Sequence, residues 1–141
     1  MKRHRVLLLT LIAAAVTLAG APAAGQPIRL IRVVLEEYRI TPAAITVKSG
    51  ERIRLEVQNG GTVTHEFRSA IFRGIEVTVR TQGFDVLTER FEVLSVRPTW
   101  IATLEFTRRT PGEYQFWCGA ITPDGKRHID LGMVGKFVVV P

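Results

Sequence analysis

The sequence predicts an all-β fold, a single-domain β-sandwich or barrel. Three observations carry that expectation. Apolar and polar residues alternate at period two along most of the chain, turn-forming clusters divide the alternating runs into short strands, and no segment sustains a helical period. Ile53, Leu55 and Val57 alternate with Arg52, Arg54, Glu56 and Gln58, as expected of a half-buried strand. Ile75, Val77 and Val79 do the same against Glu76, Thr78 and Arg80. Trp100, Ala102, Leu104 and Phe106 form a third such face. Gly112 to Cys118 reads as a further strand, and the nearly continuous apolar run Lys136 to Val140 reads as a last one buried on both faces. Turn chemistry separates these runs at Lys48-Ser49-Gly50-Glu51, Asn59-Gly60-Gly61, Thr81-Gln82-Gly83, Thr110-Pro111-Gly112 and Pro123-Asp124-Gly125. Ser69 to Pro98 is the least decided stretch, with room for a short helix or an extra hairpin.

The first residues have a different character. Lys2, Arg3 and Arg5 precede the apolar run Val6 to Ala19, which contains no charge, and small residues follow up to Gly25. That order describes a secretory signal, here 1–25, with cleavage expected at 21–25. The apolar core is shorter than the roughly 20 residues of a spanning helix, so no stable membrane insertion is expected after cleavage. The mature domain is then 26–141, in the periplasm or outside the cell. The leader takes three positive charges and no negative ones from the whole-chain net of +6, leaving about +3. Those charges are interspersed rather than gathered in a stripe, so a nucleic-acid partner is not expected.

The mature region keeps His65, Cys118, His128 and Met133, and has no other Cys, His or Met. An unpaired cysteine in an exported chain is an intermolecular bridge, a reactive thiol or a metal ligand. Taken singly, each of the four has a plain structural reading: a satisfied histidine, a buried thiol, a core methionine. Together they are imidazole, thiolate and thioether donors, a set that favours one copper ion, with zinc as the competitor. Cys118 ends a strand-like run, His128 follows after nine residues, and Met133 comes after four more, just before the final strand. Two adjacent strands would hold the ends of such a loop rigidly. His65 would arrive from another strand end.

Several segments resemble the cupredoxins: Pro42 to Glu51, Asn59, His65-Glu66-Phe67, Pro111-Gly112-Glu113-Tyr114, Phe116-Trp117-Cys118 and Gly132-Met133-Val134-Gly135. The resemblance covers about Val33 to Val140. It implies a Greek-key sandwich with His65, Cys118 and His128 as equatorial copper ligands, Met133 as the axial one, and single-electron transfer. Two departures stand out. Nine residues separate Cys118 from His128 where small family members have two to four, a length that resembles the type 1 site of copper nitrite reductases. Glu66 stands where many relatives carry an asparagine that ties the two ligand-bearing loops together, which makes Glu66, or Asp130, an alternative fourth ligand. Phe116 and Trp117 fill the core or jacket the sulfur.

The expected function is that of a periplasmic one-electron carrier rather than an enzyme, serving redox partner proteins of unknown identity. Electrons are expected to cross an exposed His128 edge, rimmed by Ile121, Pro123, Ile129 and Leu131. A copper delivery or storage module handing the ion to a receiving protein is the second reading, motivated by the long loop. A non-blue site reacting with a small molecule is the third.

Overall fold

Each alternating strand has one apolar face to bury, and eleven strands among the described residues bury theirs by stacking into two sheets. The computed structural model describes residues 27–83 and 85–141; the expected export signal lies outside them. In chain order the strands are β1 (Ile28–Glu36), β2 (Arg39–Thr41), β3 (Ala44–Lys48), β4 (Arg52–Asn59), β5 (His65–Ser69), β6 (Val77–Arg80), β7 (Asp85–Thr88), β8 (Leu94–Val96), β9 (Ile101–Thr107), β10 (Gly112–Trp117) and β11 (Val134–Val140). One sheet runs β2-β1-β4-β9-β6-β7 and the other β3-β11-β10-β5-β8. Most neighbours are antiparallel, but β1 lies parallel to β4 and β3 parallel to β11. The all-β sandwich is as the sequence predicts.

The uncertain stretch from Ser69 to Pro98 holds both features allowed for it. Ala70–Phe72 is a short 3-10 helix, capped where the Ser69 hydroxyl accepts the Ile71 N–H. β6 and β7 then form a hairpin turned at Gln82-Gly83. The final strand corrects an expectation. It is not buried on both faces: Phe137 and Val139 face the core while Val138 and Val140 are half-buried. β11 lies inside its sheet, between β3 and β10, but only one face of that sheet is covered by the other. An apolar run cannot by itself distinguish one covered face from two.

The core between the sheets includes Val33, Leu35, Ile53, Leu55, Val57 and Leu104, joined by a cluster of phenylalanines. Phe116 sits 5.0 Å from Phe137 and 5.4 Å from Phe67, ring centre to ring centre, and is fully buried. Burying one such ring contributes about 1.5–3 kcal/mol. Gly135 lies opposite Phe116 in the β10–β11 pairing, and a Cβ there would stand 2.3 Å from the ring and 2.5 Å from the Ala43 carbonyl. The glycine lets Phe116 cross β11 just before Trp117 and Cys118, so core packing fixes the approach to the candidate site.

Candidate metal centre

The site is assembled at one end of the five-stranded sheet, where β5 begins, β10 ends and β11 starts. His65 opens β5, and the alternation of that strand turns His65, Phe67 and Ser69 inward while Glu66 and Arg68 stay half-buried. Cys118 follows the last residue of β10. Its N–H donates to the Met133 carbonyl at 3.1 Å, extending the β10–β11 ladder by one rung. His128 begins a short 3-10 helix, His128–Leu131, whose C-cap Gly132 adopts the left-handed φ of 102° that glycine accepts without strain. Met133 N–H then returns to the His128 carbonyl at 3.0 Å.

The nine residues between Cys118 and His128 do not form an open loop. Ile121 and Arg127 bridge as an antiparallel pair, and Thr122 N–H donates to the Lys126 carbonyl at 2.8 Å. The Thr122 hydroxyl accepts the Lys126 N–H at 2.9 Å and also bonds Asp124. His128 N–H meets the Ala120 carbonyl at 2.9 Å. The extra length is thus taken up in a small internal hairpin, and both ends of the loop stay pinned.

The three nitrogen and sulfur donors converge. Their ligand atoms lie within 4.8 Å of one another, and His65, Cys118 and His128 are all buried. His65 Nδ1 is 3.8 Å and His128 Nδ1 3.5 Å from Cys118 Sγ. Met133 joins this end through its backbone, with a side chain that is wholly buried. Burial pushes the Cys118 thiol up from its ordinary value, while N–H groups of Glu66 and Ala120 oppose the rise. The Glu66 N–H donates to Sγ at 3.2 Å. Burial also lowers His65, helped by neighbouring His128 and opposed by Glu37. A neutral imidazole and a sulfur that resists ionisation without a cation form a donor set suited to a soft metal.

The two carboxylates considered as alternative ligands are engaged elsewhere. Glu66 accepts from Arg68 Nε at 2.8 Å, and the pair lies across Gly119, where a Cβ would stand 2.5 Å from the carboxylate. Glu66 therefore links the two ligand-bearing segments by its N–H on sulfur and its packing on Gly119. Asp130 is held at the surface by two bonds from Arg127, at 2.7 and 2.8 Å. Phe116 points into the core, whereas Trp117 is half-buried on the opposite side of β10.

One expectation is corrected here. His128 is not at the surface; only 3% of it is exposed, and the Tyr38 ring meets it edge-on at 5.1 Å between centres. Ile121, Pro123 and Leu131 are exposed and Ile129 is half-buried. Tyr38 belongs to the turn between β1 and β2 and holds a φ of 59°, unusual for a non-glycine residue. Its neighbour Glu37 accepts from Thr62 N–H at 2.5 Å, Thr62 Oγ1 at 2.9 Å and Val63 N–H at 3.3 Å. Those donors, led by the Thr62 N–H, lower the Glu37 carboxyl to about 2. Sequence reasoning missed both residues, because they sit in a polar hairpin turn with no motif of their own. Buried Asn59 completes the frame: its amide donates to the Val63 and Val96 carbonyls and its oxygen accepts the Gly61 N–H, holding the segment that leads into His65.

Comparisons with known proteins agree with this architecture. The sequence profile of the cupredoxin-like domain matches residues 7–129. A copper-resistant cuproprotein, CopI, of Rubrivivax gelatinosus is 32% identical over 121 residues, which are 82% of this chain and 69% of that one. The protein of the same name from Pseudomonas aeruginosa is 47% identical over 49 residues, 34% of this chain and 27% of that one. Among solved structures, a copper nitrite reductase from Nitrosomonas europaea superposes with a TM-score of 0.61 at 14% identity, covering 79% of this chain and 49% of that one. A multicopper oxidase from Campylobacter jejuni superposes with a TM-score of 0.59 at 16% identity, covering 85% and 31%. At such identities the structural likeness concerns the fold alone, and this chain spans a third to a half of those proteins.

Proposed function

The chain belongs to the cupredoxin-like family, and on that premise we propose that it is an exported carrier of single electrons, built around one copper ion held by His65, Cys118 and His128 with Met133 as a weak fourth donor. The observation that carries the reading is the convergence of three buried donors within 4.8 Å, each fixed by backbone at a strand end or a pinned loop. Copper in such a site supplies a Cu(II)/Cu(I) couple and an intense thiolate-to-metal absorption. The residues supply constancy. Cys118 gives up its proton to become a ligand, and the Glu66 N–H at 3.2 Å steadies the resulting negative sulfur. His65 at the start of β5 and His128 in the pinned loop offer Nδ1 from positions held by backbone bonds, which keeps reorganisation small when the charge changes. Tyr38 and the surrounding apolar side chains exclude water from His128. With the Glu66 and Asp130 carboxylates paired to arginines, Met133 is the fourth donor of choice.

The spectrum of the copper-loaded mature protein tests this. An intense visible band, lost in Cys118→Ser, is the expected result. A wild-type protein without the band, or a C118S variant that retains it, overturns the proposal.

A second reading, copper sequestration or delivery, draws on the relatives' description as copper-resistant cuproproteins. Its sequence motive was an opening loop, and the internal hairpin at Ile121–Arg127 weakens that motive. Fast copper loss to a chelator combined with slow electron self-exchange would favour it over electron transfer. No helix among the described residues is long and apolar enough to cross a membrane. Export to the periplasm, through the leader at 1–25, and protein redox partners complete the proposal.

A further inference from the structure

His65 carries a polar atom with no partner. Its Nε2 is buried and forms no hydrogen bond, the one such buried side-chain nitrogen or oxygen among the described residues. If Nδ1 faces the sulfur and a metal, the ring's proton must reside on Nε2, which makes that atom a donor sealed from water. A buried donor without an acceptor forfeits its hydrogen bonds to water with nothing in return, so such an atom calls for an explanation.

One acceptor is aimed at it. Glu37 Oε1 stands 3.9 Å from Nε2. That separation is too long for a hydrogen bond and too short for a water to bridge. The intervening space is kept clear by a glycine. A Cβ on Gly61 would lie 2.8 Å from His65 Nε2 and 2.7 and 2.8 Å from the two Glu37 oxygens, so any side chain there would fill the gap between them. The carboxylate is held toward this gap by Thr62 and Val63, yet it sits at a hairpin tip with 38% of its side chain exposed. A movement of under about 1 Å brings it into bonding range.

From this arrangement we infer that Glu37 is a positioning residue of the centre: it accepts the Nε2–H of His65, fixes Nδ1 as the metal-facing nitrogen and sets a negative charge behind the ligand. The inference rests on the proposed copper site and deepens it. A carboxylate accepting from a ligand imidazole makes the nitrogen a stronger donor and favours the more highly charged metal ion. Glu37 thereby biases the couple toward Cu(II), a tuning role supplied by a turn far from the ligands in sequence.

Glu37→Gln is the test, with Glu36→Gln as its control. Glu36 carries the same charge one residue away and is engaged with Arg39. Competition titrations and redox potentiometry on the full mature protein read the outcome. In E37Q the affinity for Cu(II) falls about tenfold relative to Cu(I), which raises the potential by about 59 mV. E36Q shifts it by a small fraction of that. Nitrogen-15 NMR of the copper-free protein provides a second readout that does not depend on copper. Wild type and E36Q show His65 protonated at Nε2 with a downfield, slowly exchanging proton, and in E37Q that signal moves upfield and exchanges faster. Equal potentials in E37Q and E36Q, or a His65 protonated at Nδ1 in the copper-free wild type, overturn the inference. A wild type lacking the thiolate–copper band while keeping the Glu37-dependent Nε2 signal would instead count against the copper reading and leave the His65–Glu37 pairing standing.

Discussion

Replacing Gly61 by alanine loads the arrangement around His65 directly. The new methyl would stand 2.7–2.8 Å from three polar atoms, where ordinary contact begins at 3.4 Å. Something must yield by roughly 0.6 Å, a displacement on the steep repulsive side of the contact potential. His65 is fully buried at the start of β5 and cannot retreat without tilting the strand. Glu37 is half in solvent, so its carboxylate is the group expected to swing away, losing the Thr62 and Val63 donors. Overpacking of this kind costs about 1–3 kcal/mol. Gly61 does not hold a left-handed φ, so alanine also restricts the unfolded chain and returns about 0.4–1 kcal/mol. The net expectation is a loss of about 1–2 kcal/mol, or a melting temperature lower by roughly 4–8 °C. Calorimetry on the copper-free variant measures this, and potentiometry on the loaded form is expected to show a rise in the same direction as E37Q. Gly83→Ala is the control, because nothing lies within 4 Å of a Cβ there, and its expected change is within about 0.5 kcal/mol of zero. A G61A protein that melts with wild type and keeps its potential would refute the packing argument.

Tyr38→Asn removes the ring over His128 while leaving a residue that tolerates the φ of 59°. An edge-on aromatic contact contributes about 0.5–1.5 kcal/mol, so copper loss to a chelator is expected to accelerate up to about tenfold with the absorption band unchanged; unchanged exchange would mean that the ring does not limit release. The copper-free protein is expected to lose stability in two steps as pH falls. His65 is held below its ordinary 6.5 by burial, so the unfolded chain takes up its proton first and stability drops as pH falls below about 6.5. Glu37, lowered from 4.5 to about 2 chiefly by the Thr62 N–H, contributes stability that is present above 4.5 and lost between there and about 2. Urea titrations of wild type and E37Q across this range check both, since the loss below 4.5 is expected to be smaller in E37Q, leaving the share carried by Asp124 and Asp130, whose carboxyls are also held low.

The alternating strands were legible because period-two patterning is a local consequence of pleating. β4 and β9 fall at or within a residue or two of the runs read for them. The last strand was misjudged because covering a second face is a property of neighbours, not of Lys136 to Val140. The four candidate donors could be picked out because the mature region offers no other residues of those types, and three of them converge. The enclosure of His128 was not legible, and neither was the folding of the long loop into a hairpin of its own.

By itself, then, the sequence determined the class of fold and singled out the candidate donors, since both follow from residue identity and local spacing. Tertiary structure decided what surrounds those donors. The parallel pairing of β1 with β4 sets Leu35 beside Asn59, and Gly60 N–H bonds the Leu35 carbonyl at 2.9 Å. That register delivers Glu37 to His65 and Tyr38 to His128 from 28 and 90 residues away in the chain. Parallel neighbours are joined by distant segments and leave no short-range signature, so the outer layer of the site is visible only once the sheets have formed.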